Sequence, residues 1–349
     1  MSIATALARP AFAAAESGRV PDSVLRAGIR SLVRARLRAL ATEPPLDEAT
    51  LRTGPIAPAP REANEQHYEV QAAFFELVLG PWLKYSGCLW PDDNGDRAFT
   101  LADAEAAMLE LTCARAGLAD GQDILDLGCG WGALTLFAAE RWPGSRIVAV
   151  SHSSSQRRHI EARARRRGLR NIQVITQDVS GLDFEPERFD RVVSVEMFEH
   201  MNNHELLVKK ITRWMRPGAR LFVHVFCHHA RAYRFTREGP GDWMAREFFT
   251  GGLMPSASLV PRFRGELESE DDWFVPGTHY ARTAEAWLAN LDAAREGVAH
   301  VFADTYGPRS ANRWVQRWRL FFMAVAETFA YSDGHEWGVS HHRLRKQSR

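Results

Sequence analysis

Three ionisable side chains follow one apolar stretch of the sequence closely enough to act together. The segment Phe189–Met201 reads FDRVVSVEMFEHM, and it places Glu196, Glu199 and His200 within five residues at the exit of a predicted strand. A carboxylate at the position of Glu199 can instead cap the following helix, but core packing does not account for the other two groups. Side chains of these types transfer protons or stabilise charge in enzymes. We therefore predict all three as catalytic residues.

The stretch Gln122–Gly132, QDILDLGCGWG, has the pattern of a ligand-binding turn. Its apolar start predicts a buried strand, glycines that include Gly128 and Gly130 predict a tight turn, and Ala133–Glu140 has helical composition. Glycines let a ligand approach the backbone, although an ordinary tight turn explains them equally well when they stand alone. Asp126, two residues before the first glycine, favours a ligand with a cationic amino-acid part over a pyrophosphate.

These residues can meet only if the strands that carry them lie side by side. Apolar strand candidates alternate with helical segments, and a repeated β-α-β order predicts an α/β fold with a doubly wound, mostly parallel sheet. Ligands bind such sheets at the carboxyl ends of the strands. The predicted strands are Asp123–Leu127, Arg146–Val150, Ile172–Thr176, Arg191–Val195 and Arg220–Phe226, and the helices between them are Ala133–Arg141, Ser155–Arg167 and His204–Met215.

The N-terminal region is predicted to be separate from this unit. Residues 1–20 are expected to be a loose tail, Pro21–Leu40 a basic amphipathic helix, and 42–60 a proline-rich linker. The helix packs on the main domain or on a partner subunit in the simpler interpretation, and contact with an anionic membrane surface is the alternative. Residues 61–349 are assigned to the catalytic domain, which begins with a helix that ends at Gly80.

The regular alternation of strands and helices stops after Phe226. Residues 228–282 are rich in glycine, proline and aromatic residues, which predicts an insertion that roofs the pocket. Helical patterns resume at Thr283–Gly297 and at Asn312–Ala330. No final strand is expected before the basic tail at 341–349.

Composition narrows the classes of function. The 349 residues include 44 Lys and Arg and 43 Asp and Glu, and this near-equal number of positive and negative charges does not favour nucleic acid as a partner. No apolar run reaches the ~20 residues of a membrane span, so no membrane insertion is expected, and the N-terminus does not have the pattern of a signal peptide. The four cysteines lack metal-binding spacing, which favours reduced thiols in a cytoplasmic protein without a metal. A homodimer is compatible with the sequence.

The motif DLGCGWG resembles motif I of the class I S-adenosylmethionine (SAM) methyltransferases, which have a Rossmann-like fold. SAM is therefore the expected cofactor. The residues after the next strands suit the rest of that molecule. His152 and Gln156 lie where a ribose-binding group belongs, Asp178 can accept from the adenine amino group, and Val179 can cover the ring.

Longer segments are similar to the cyclopropane fatty acid synthase superfamily, and within it to the coclaurine-type amine N-methyltransferases. The resemblance covers nearly the whole chain from about Pro21 and rests on KYSGCLW, DLGCGWG, SHSSSQ, SVEMFEHM, LFVHVFCH, DWMAREFFTGGLMPS, HYARTAEAW and WRLFFMAVAETFAY. It implies further cofactor contacts by Tyr68, Tyr85, Ser86 and Val195. It also implies substrate contacts by His224, Trp243, Phe248 and Tyr280.

A few positions distinguish the two reactions of this superfamily. By resemblance, cyclopropane synthases hold a bicarbonate base with residues that match Gly87, Glu199, His224 and Tyr280. Their cysteine is displaced in this chain, where Gly87 holds its position and a cysteine follows. The synthases also have a small residue, typically glycine, at the position of Glu196. A carboxylate there would crowd and repel bicarbonate.

The resemblance therefore implies methyl transfer from SAM to the nitrogen of a small aromatic or aliphatic amine. Such an amine arrives as ammonium, so Glu199 and His200 are the expected base and Glu196 the expected partner of the cation. One alternative is a cyclopropane synthase that acts on unsaturated lipid chains, and another is a SAM-binding protein without catalysis. Aromatic residues of the insertion either hold the acceptor or pack in the core: Trp243, Phe248, Phe249, Trp273, Phe274 and Tyr280.

Overall fold

A mixed seven-stranded sheet forms the centre of the protein in the computed structural model, which describes residues 11–57, 71–91, 99–236, 243–249 and 251–348. The strands are β1 Asp123–Leu127, β2 Arg146–Ser151, β3 Ile172–Thr176, β4 Phe189–Val195, β5 Met215–His228, β6 Tyr233–Arg234, β7 Leu253–Met254, β8 Leu267–Pro276 and β9 Trp337–Lys346. Their order in the main sheet is β3-β2-β1-β4-β5-β9-β8, while β6 and β7 form a separate ribbon.

The order of the strands reverses at β1. This strand pairs with β2 on one side and with β4 on the other, and the neighbours from β3 to β5 are all parallel. Because parallel crossovers are right-handed, a reversal of this kind opens a crevice at the carboxyl ends of the strands. The doubly wound, mostly parallel α/β fold predicted from the sequence is confirmed.

The helices cover the sheet and extend beyond its carboxyl edge. They are α1 Asp22–Thr42, α2 Ala72–Val78, α3 Leu101–Ala116, α4 Ala133–Arg141, α5 Ser154–Arg166, α6 His204–Trp214, α7 Trp243–Glu247, α8 Gly277–Ala293, α9 Arg295–Tyr306 and α10 Ala311–Phe329. One apolar core joins α1, α2, α8, α9 and α10. A second core fills the space between the sheet and α6.

The expectation of no final strand was wrong. β9 lies between β5 and β8 and is antiparallel to both. Its sequence WGVSHHRLRK is too polar to suggest a buried strand, yet His341 and His342 are almost completely buried. Hydrogen bonds compensate their burial, which composition cannot reveal. β8 also belongs to the main sheet, so Leu267–Pro276 of the predicted insertion is a strand of that sheet, and the insertion ends in the first residues of α8.

Segments with simple apolar periodicity match their predicted bounds most closely. β1, β3 and α4 begin and end at the predicted residues, whereas β5 is longer at both ends. The predicted helix Thr283–Gly297 is part of two helices, α8 and α9. A glycine begins α8 because a Cβ on Gly277 would lie 2.0 Å from the Trp337 carbonyl oxygen and 2.3 Å from that of Phe329.

α1 packs against α10, as the simpler interpretation of the basic helix predicts. Leu25, Val33 and Leu40 are its buried residues. Two of its arginines form ion pairs with the main domain: Arg26 contacts Glu285 at 2.6 Å and Glu327 at 3.0 Å, and Arg30 contacts Glu327 at 3.0 Å. These ion pairs neutralise arginine charges that the membrane alternative requires for binding anionic lipid.

The described part of the predicted N-terminal tail is more ordered than expected. Residues 11–16 are helical, and the Glu16 carboxylate accepts hydrogen bonds from Arg317 Nε at 3.0 Å and Trp243 Nε1 at 2.9 Å. Within the predicted linker, Glu48–Leu51 forms a 3₁₀ turn with Leu51 buried. No helix in the described ranges has the length and apolar character needed to cross a membrane.

Candidate functional site

A large cavity of about 1260 Å³ opens at the carboxyl ends of the parallel strands. Its walls come from the strand exits, the loop at residues 83–86, α1, α7, α8 and α10. The cavity brings together most of the residues predicted from the sequence: Tyr85, Ser86, Asp126, Gly128, Gly130, His152, Gln156, Asp178, Val195, Glu196, His200, Trp243 and Tyr280. Tyr68 lies outside the described residues.

The glycine turn after β1 forms a cradle in the cavity wall. Gly130 has φ +51°, and no atom lies within 4 Å of the position that its Cβ would take. Gly128 has φ +88°, and a Cβ there would lie 2.7 Å from the side chain of Met197. Glycine is needed at both positions for its backbone conformation. The open space beside Gly130 is the kind of surface that a ligand backbone contact requires.

Asp126 supplies the negative charge beside this cradle. Its side chain is buried at the end of β1 and accepts a hydrogen bond of 2.6 Å from Thr135 Oγ1. Burial raises the pKa of Asp126 to about 6, opposed by the bonds from Thr135. A ligand ammonium group would offset the cost of this buried charge, so the residue fits the amino-acid part of SAM.

The exits of β2 and β3 line the next part of the cavity. Ser151 Oγ donates to Gln156 Oε1 at 2.6 Å, which fixes the Gln156 side chain. Asp178 Oδ1 accepts from the Ser180 backbone N–H at 2.7 Å. His152 lines the cavity as well, and burial lowers its pKa. These groups fit a ribose and an adenine amino group.

Val179 is the described cofactor residue that the structure does not place at the cavity. Its side chain is 8% exposed and packs in the core beside the sheet with Leu182. Lys210 Nζ donates to the Val179 carbonyl at 3.1 Å, which holds the loop in this orientation. Val195, at the end of β4, does line the cavity.

Glu196 faces the cavity from a strained position. It has φ +48°, a conformation that side chains rarely adopt, and such outliers cluster at functional sites. Oε1 accepts from the Gly87 backbone N–H at 3.1 Å and lies 3.3 Å from His224 Nε2. Oε2 accepts from the Tyr280 hydroxyl at 2.8 Å. The carboxylate is therefore fixed at both oxygens.

The pKa of Glu196 is raised by burial, against the attraction of the Lys84 ammonium group. Lys84 is itself buried, and its Nζ donates to Ser86 Oγ and, at 2.6 Å, to the Gly87 carbonyl. A raised pKa makes a carboxylate a stronger base near neutral pH. Sequence reasoning missed Lys84, and its only signal was a lysine directly before the Tyr-Ser pair.

The structure separates Glu199 from His200. Both lie in the 3₁₀ turn Phe198–His200, but only His200 lines the cavity. Glu199 is 1% exposed, its Oε1 accepts from the Phe226 backbone N–H at 2.8 Å, and Oε2 has no hydrogen-bond partner among the described residues. The predicted Glu199–His200 pair therefore does not face an acceptor together.

Burial separates the charge states of these two groups. It raises the pKa of Glu199 well above the usual range, with the Glu196 charge adding to the effect. Burial also lowers the pKa of His200 to about 4, so its imidazole is neutral at pH 7. The cavity therefore presents a neutral imidazole and the carboxylate of Glu196.

The predicted substrate contacts divide in the same way. Trp243 and Tyr280 line the cavity, whereas Phe248 is packed behind it with its ring centroid 4.4 Å from that of Phe321. His224 is completely buried behind Glu196. Two aromatic residues proposed for the roof also lie elsewhere. Trp273 packs under the guanidinium groups of Arg115 and Arg343, and Phe274 is 38% exposed on β8.

Sequence reasoning also missed the apolar wall that α1 and α10 provide. Leu25 and Ile29 of α1 line the cavity together with Phe321, Val325 and Phe329 of α10. The amphipathic patterns of both helices indicate a buried face, but they do not indicate which neighbour that face contacts.

One group of side chains away from the cavity has the spacing of a metal site. His228, His229 and Glu336 place ligand atoms within 4.8 Å of one another. However, His228 Nδ1 accepts backbone N–H bonds from Ala230 at 3.1 Å and from Arg231 at 3.0 Å. Its proton is therefore on Nε2, the nitrogen that faces Glu336, and this nitrogen has no lone pair for a metal.

The chain is similar to known proteins along most of its length. The sequence pattern of the family described as mycolic acid cyclopropane synthetase matches residues 58–335. The chain is 37% identical to (S)-coclaurine N-methyltransferase of Thalictrum flavum subsp. glaucum, over 95% of this chain and 94% of that protein. It is 28% identical to the cyclopropane-fatty-acyl-phospholipid synthase of Escherichia coli K12, over 79% of this chain and 66% of that protein.

Solved structures agree with these relatives. The crystal structure of coclaurine N-methyltransferase bound to N-methylheliamine and SAH superposes with a TM-score of 0.90 at 35% identity, covering 97% of this chain and 99% of that one. The mycolic acid cyclopropane synthase CmaA1 complexed with SAH and CTAB gives a TM-score of 0.66 at 24% identity, over 82% and 99%. The latter similarity supports the fold alone.

Proposed function

Because the chain belongs to the mycolic acid cyclopropane synthetase family and is a SAM-dependent methyltransferase, we propose that it methylates the nitrogen of an amine with an apolar, ring-containing body. The observation that carries this proposal is the Glu196 carboxylate, which faces an aromatic-lined cavity beside the glycine turn. A fixed carboxylate at that place suits an acceptor that arrives as a cation.

The cavity residues divide between cofactor and acceptor. SAM, when bound, supplies a methyl group on a sulfonium centre. Asp126 and the turn at Gly128 and Gly130 fit its amino-acid part. His200 and Glu196 face the remaining space, where Glu196 attracts the ammonium ion and takes its proton on a carboxylate oxygen. Removal of the proton frees the lone pair with which the nitrogen forms its bond to the methyl group.

Positioning and exclusion of water complete the proposed mechanism. Holding donor and acceptor in line contributes ~7–11 kcal/mol to lowering the barrier of a reaction of this type. The cavity walls that can do so are mainly apolar and aromatic. Phe249, Tyr280 and Phe329 all line the cavity, Tyr280 in contact with Glu196, and the electron-rich faces of such rings attract cations.

The cyclopropane synthase alternative is less well supported. By resemblance, bicarbonate in those enzymes contacts positions that match Gly87, His224 and Tyr280. In this structure the same three residues hydrogen-bond to the Glu196 carboxylate. A Cβ on Gly87 would also lie 3.1 Å from the Tyr280 ring. The side chain of Glu196 thus occupies the place, and supplies the charge, of an exogenous base.

A direct assay separates these reactions. Purified protein is incubated with methyl-labelled SAM and either a panel of cyclic and acyclic amines or vesicles of unsaturated phospholipid, with and without bicarbonate. We expect labelled N-methyl products from ring-containing amines and no cyclopropyl lipid by mass spectrometry. Cyclopropyl product above trace turnover, together with no labelled amine, would favour the lipid reaction. SAM binding without transfer to any acceptor would favour a non-catalytic SAM-binding protein.

We further propose a homodimer, a cytoplasmic location, and a division into an N-terminal region of residues 1–60 and a catalytic domain of residues 61–349. Light scattering of purified protein tests the first, and cell fractionation tests the second. Deletion of residues 1–20, followed by measurement of amine turnover, tests whether the N-terminal region contributes to the site.

A further inference from the structure

A line of hydrogen bonds runs from the cavity across the sheet to α3. Glu196 Oε1 lies 3.3 Å from His224 Nε2, and the other ring nitrogen of His224 lies 2.9 Å from His341 Nε2. His341 Nδ1 lies 2.7 Å from a terminal nitrogen of Arg115. Three consecutive contacts thus join a cavity carboxylate to a guanidinium group on a different element.

The sheet itself aligns the two histidines. His224 of β5 and His341 of β9 are directly opposite residues in an antiparallel pair, so their side chains leave the same face. Both are completely buried. Arg115, in the last turn of α3, is partly buried and stacks on the ring of Trp273 at 4.6 Å. Neither Arg115 nor His341 touches the cavity.

The chemistry of the two ends fixes the direction of every bond between them. A guanidinium group only donates, so His341 Nδ1 must accept and the proton of its neutral ring is on Nε2. That N–H donates to His224 Nδ1, and the remaining proton of His224 is therefore on Nε2, facing Glu196. At the other end, Oε1 already accepts from Gly87, which identifies it as an acceptor.

We propose that Arg115 and His341 are positioning residues for methyl transfer, because they hold His224 in the tautomer that donates to Glu196. This inference rests on the proposed function of Glu196. The line of bonds stabilises Glu196 as the anion that receives the proton of the amine. All its protons already point toward Glu196, so it cannot carry that proton away. The proton leaves through the cavity.

Several other groups face Glu196 and must be held constant in any test. They come from the loop before α3, the exit of β4, β5 and α8: Lys84, Glu199, His200, His224 and Tyr280. All of these side chains remain in variants at Arg115 or His341, although Arg115 also acts on His224 through its charge, which lowers the pKa of that ring. His341→Phe breaks the line of bonds and keeps that charge, so the pH dependence of this variant reports the bonds.

The tautomers give a test that does not depend on catalysis. Long-range ¹H–¹⁵N NMR of the ¹⁵N-histidine-labelled protein distinguishes the two ring tautomers, and His341→Gln and His224→Gln identify the signals by their loss. We expect both rings to be neutral with the proton on Nε2. A proton on Nδ1 of His224 would overturn the proposal even if the enzyme methylates amines.

The kinetic test compares neighbouring residues of β9. His341→Phe removes the relay, so Glu196 loses an oriented donor and the acidic limb of the kcat/KM profile should move up by about one pH unit. On the acidic side of that limb about tenfold less Glu196 is ionised at a given pH, so we expect kcat/KM there to fall by about tenfold while SAM affinity is unchanged. His341→Gln, whose amide can both accept and donate, should restore most of the rate.

His342→Phe is the matched control, because His342 faces the other side of β9 and bonds to Asp272 and Ser340. Arg115→Met provides a second variant at the partly exposed end, should His341→Phe fail to fold. The proposal requires the limb to shift in Arg115→Met and His341→Phe but not in His342→Phe. Equal shifts in all three variants, or no shift in the first two, would overturn it.

Discussion

Glu196 is held in a conformation that a side chain adopts only when its surroundings impose it. A positive φ at a non-glycine residue costs on the order of 1–3 kcal/mol. Gly87, His224 and Tyr280 each donate to its carboxylate, and these contacts keep it in place. The carboxylate that this backbone conformation carries lies in the cavity wall.

Glu196→Gln tests this role at the level of one functional group. The change keeps the shape of the side chain but removes its basicity, so we expect kcat to fall by ~10²–10⁴-fold. The dissociation constant for SAM, measured by calorimetry, should stay the same because the lost group serves the acceptor. Raising the pH should restore part of the rate, since more amine then arrives deprotonated.

Glu199→Gln is the matched control, because it makes the same change three residues away. Glu199 does not line the cavity, so we expect the smaller loss of kcat. If Glu199→Gln were the more damaging change, the Glu199–His200 base predicted from the sequence would be correct after all.

The pH dependence of SAM binding should report Asp126. Its pKa is raised to about 6, chiefly by burial, and only the ionised form attracts the ligand ammonium group. SAM affinity should therefore be full above pH 7 and should fall as the pH drops through about 6. Calorimetry over this range measures the effect, and Asp126→Asn should bind weakly with a flat profile. An unchanged profile in that variant would assign the titration to another group.

The sequence predicted site residues well where they directly follow a single strand. Asp126, Gly128 and Gly130 follow β1 directly, and their roles depend only on distance along the chain. Glu199 could not be placed in this way, because the 3₁₀ turn after β4 sends neighbouring side chains to different sides. His341 was missed because its partner in space is 117 positions earlier in the sequence.

At the level of elements, the glycine turn between β1 and α4 carries the cofactor prediction. A valine at Gly130 would be strained at φ +51° and would fill open cavity space. We therefore expect Gly130→Val to fold, as judged by circular dichroism, but to lose SAM binding in calorimetry.

Gly168→Val separates the two causes in that experiment. Gly168 has φ +69° and equally open surroundings, but it lies in the turn after α5 and does not line the cavity. It should show a similar loss of stability and normal SAM affinity. Normal affinity in folded Gly130→Val would contradict the assignment of the cradle.

Elements were predictable where one kind of residue dominates them. β1 and β3 are short apolar runs, and their bounds follow from composition. β9 could not be found in this way, since its buried side chains include His341 and His342. β8 begins with the acidic sequence LESEDD, which suggests a loop, and it is a strand only because β9 pairs with it. Long-range pairing decides both cases.

For the molecule as a whole, α1 is part of the active-site wall. Its residues line the cavity, and its Leu25 and Val33 lie in the same apolar core as α10. A helix that the sequence presents as an appendage thus helps to enclose the cavity. The cofactor side of the cavity is built from the strand exits and does not depend on it.

Val33→Asp should weaken binding on the acceptor side of the cavity without affecting the cofactor side. Val33 lies in the apolar core that α1 shares with α10, so the desolvation of a carboxylate there should loosen α1 from α10. We expect the KM for the amine to rise by about tenfold or more, a factor that 1.4 kcal/mol of lost contact already produces. SAM affinity should change little. Ala27→Asp, on the exposed side of the same helix, should leave both constants unchanged. Parallel losses of both affinities in Val33→Asp would indicate general unfolding.

The position of β9 in the sheet also has a consequence for how the protein is made. A ribosome completes β5 roughly 110 residues before it begins β9, and at 5–20 residues per second that gap lasts on the order of 5–20 s. During this interval the nascent chain presents β5 as an open edge, and open edges recruit other strands. β8 is made before β9, but in the finished sheet it pairs with β9 and not with β5. The edge of β5 must therefore stay unpaired until β9 is made, which makes this interval a natural point for chaperone protection.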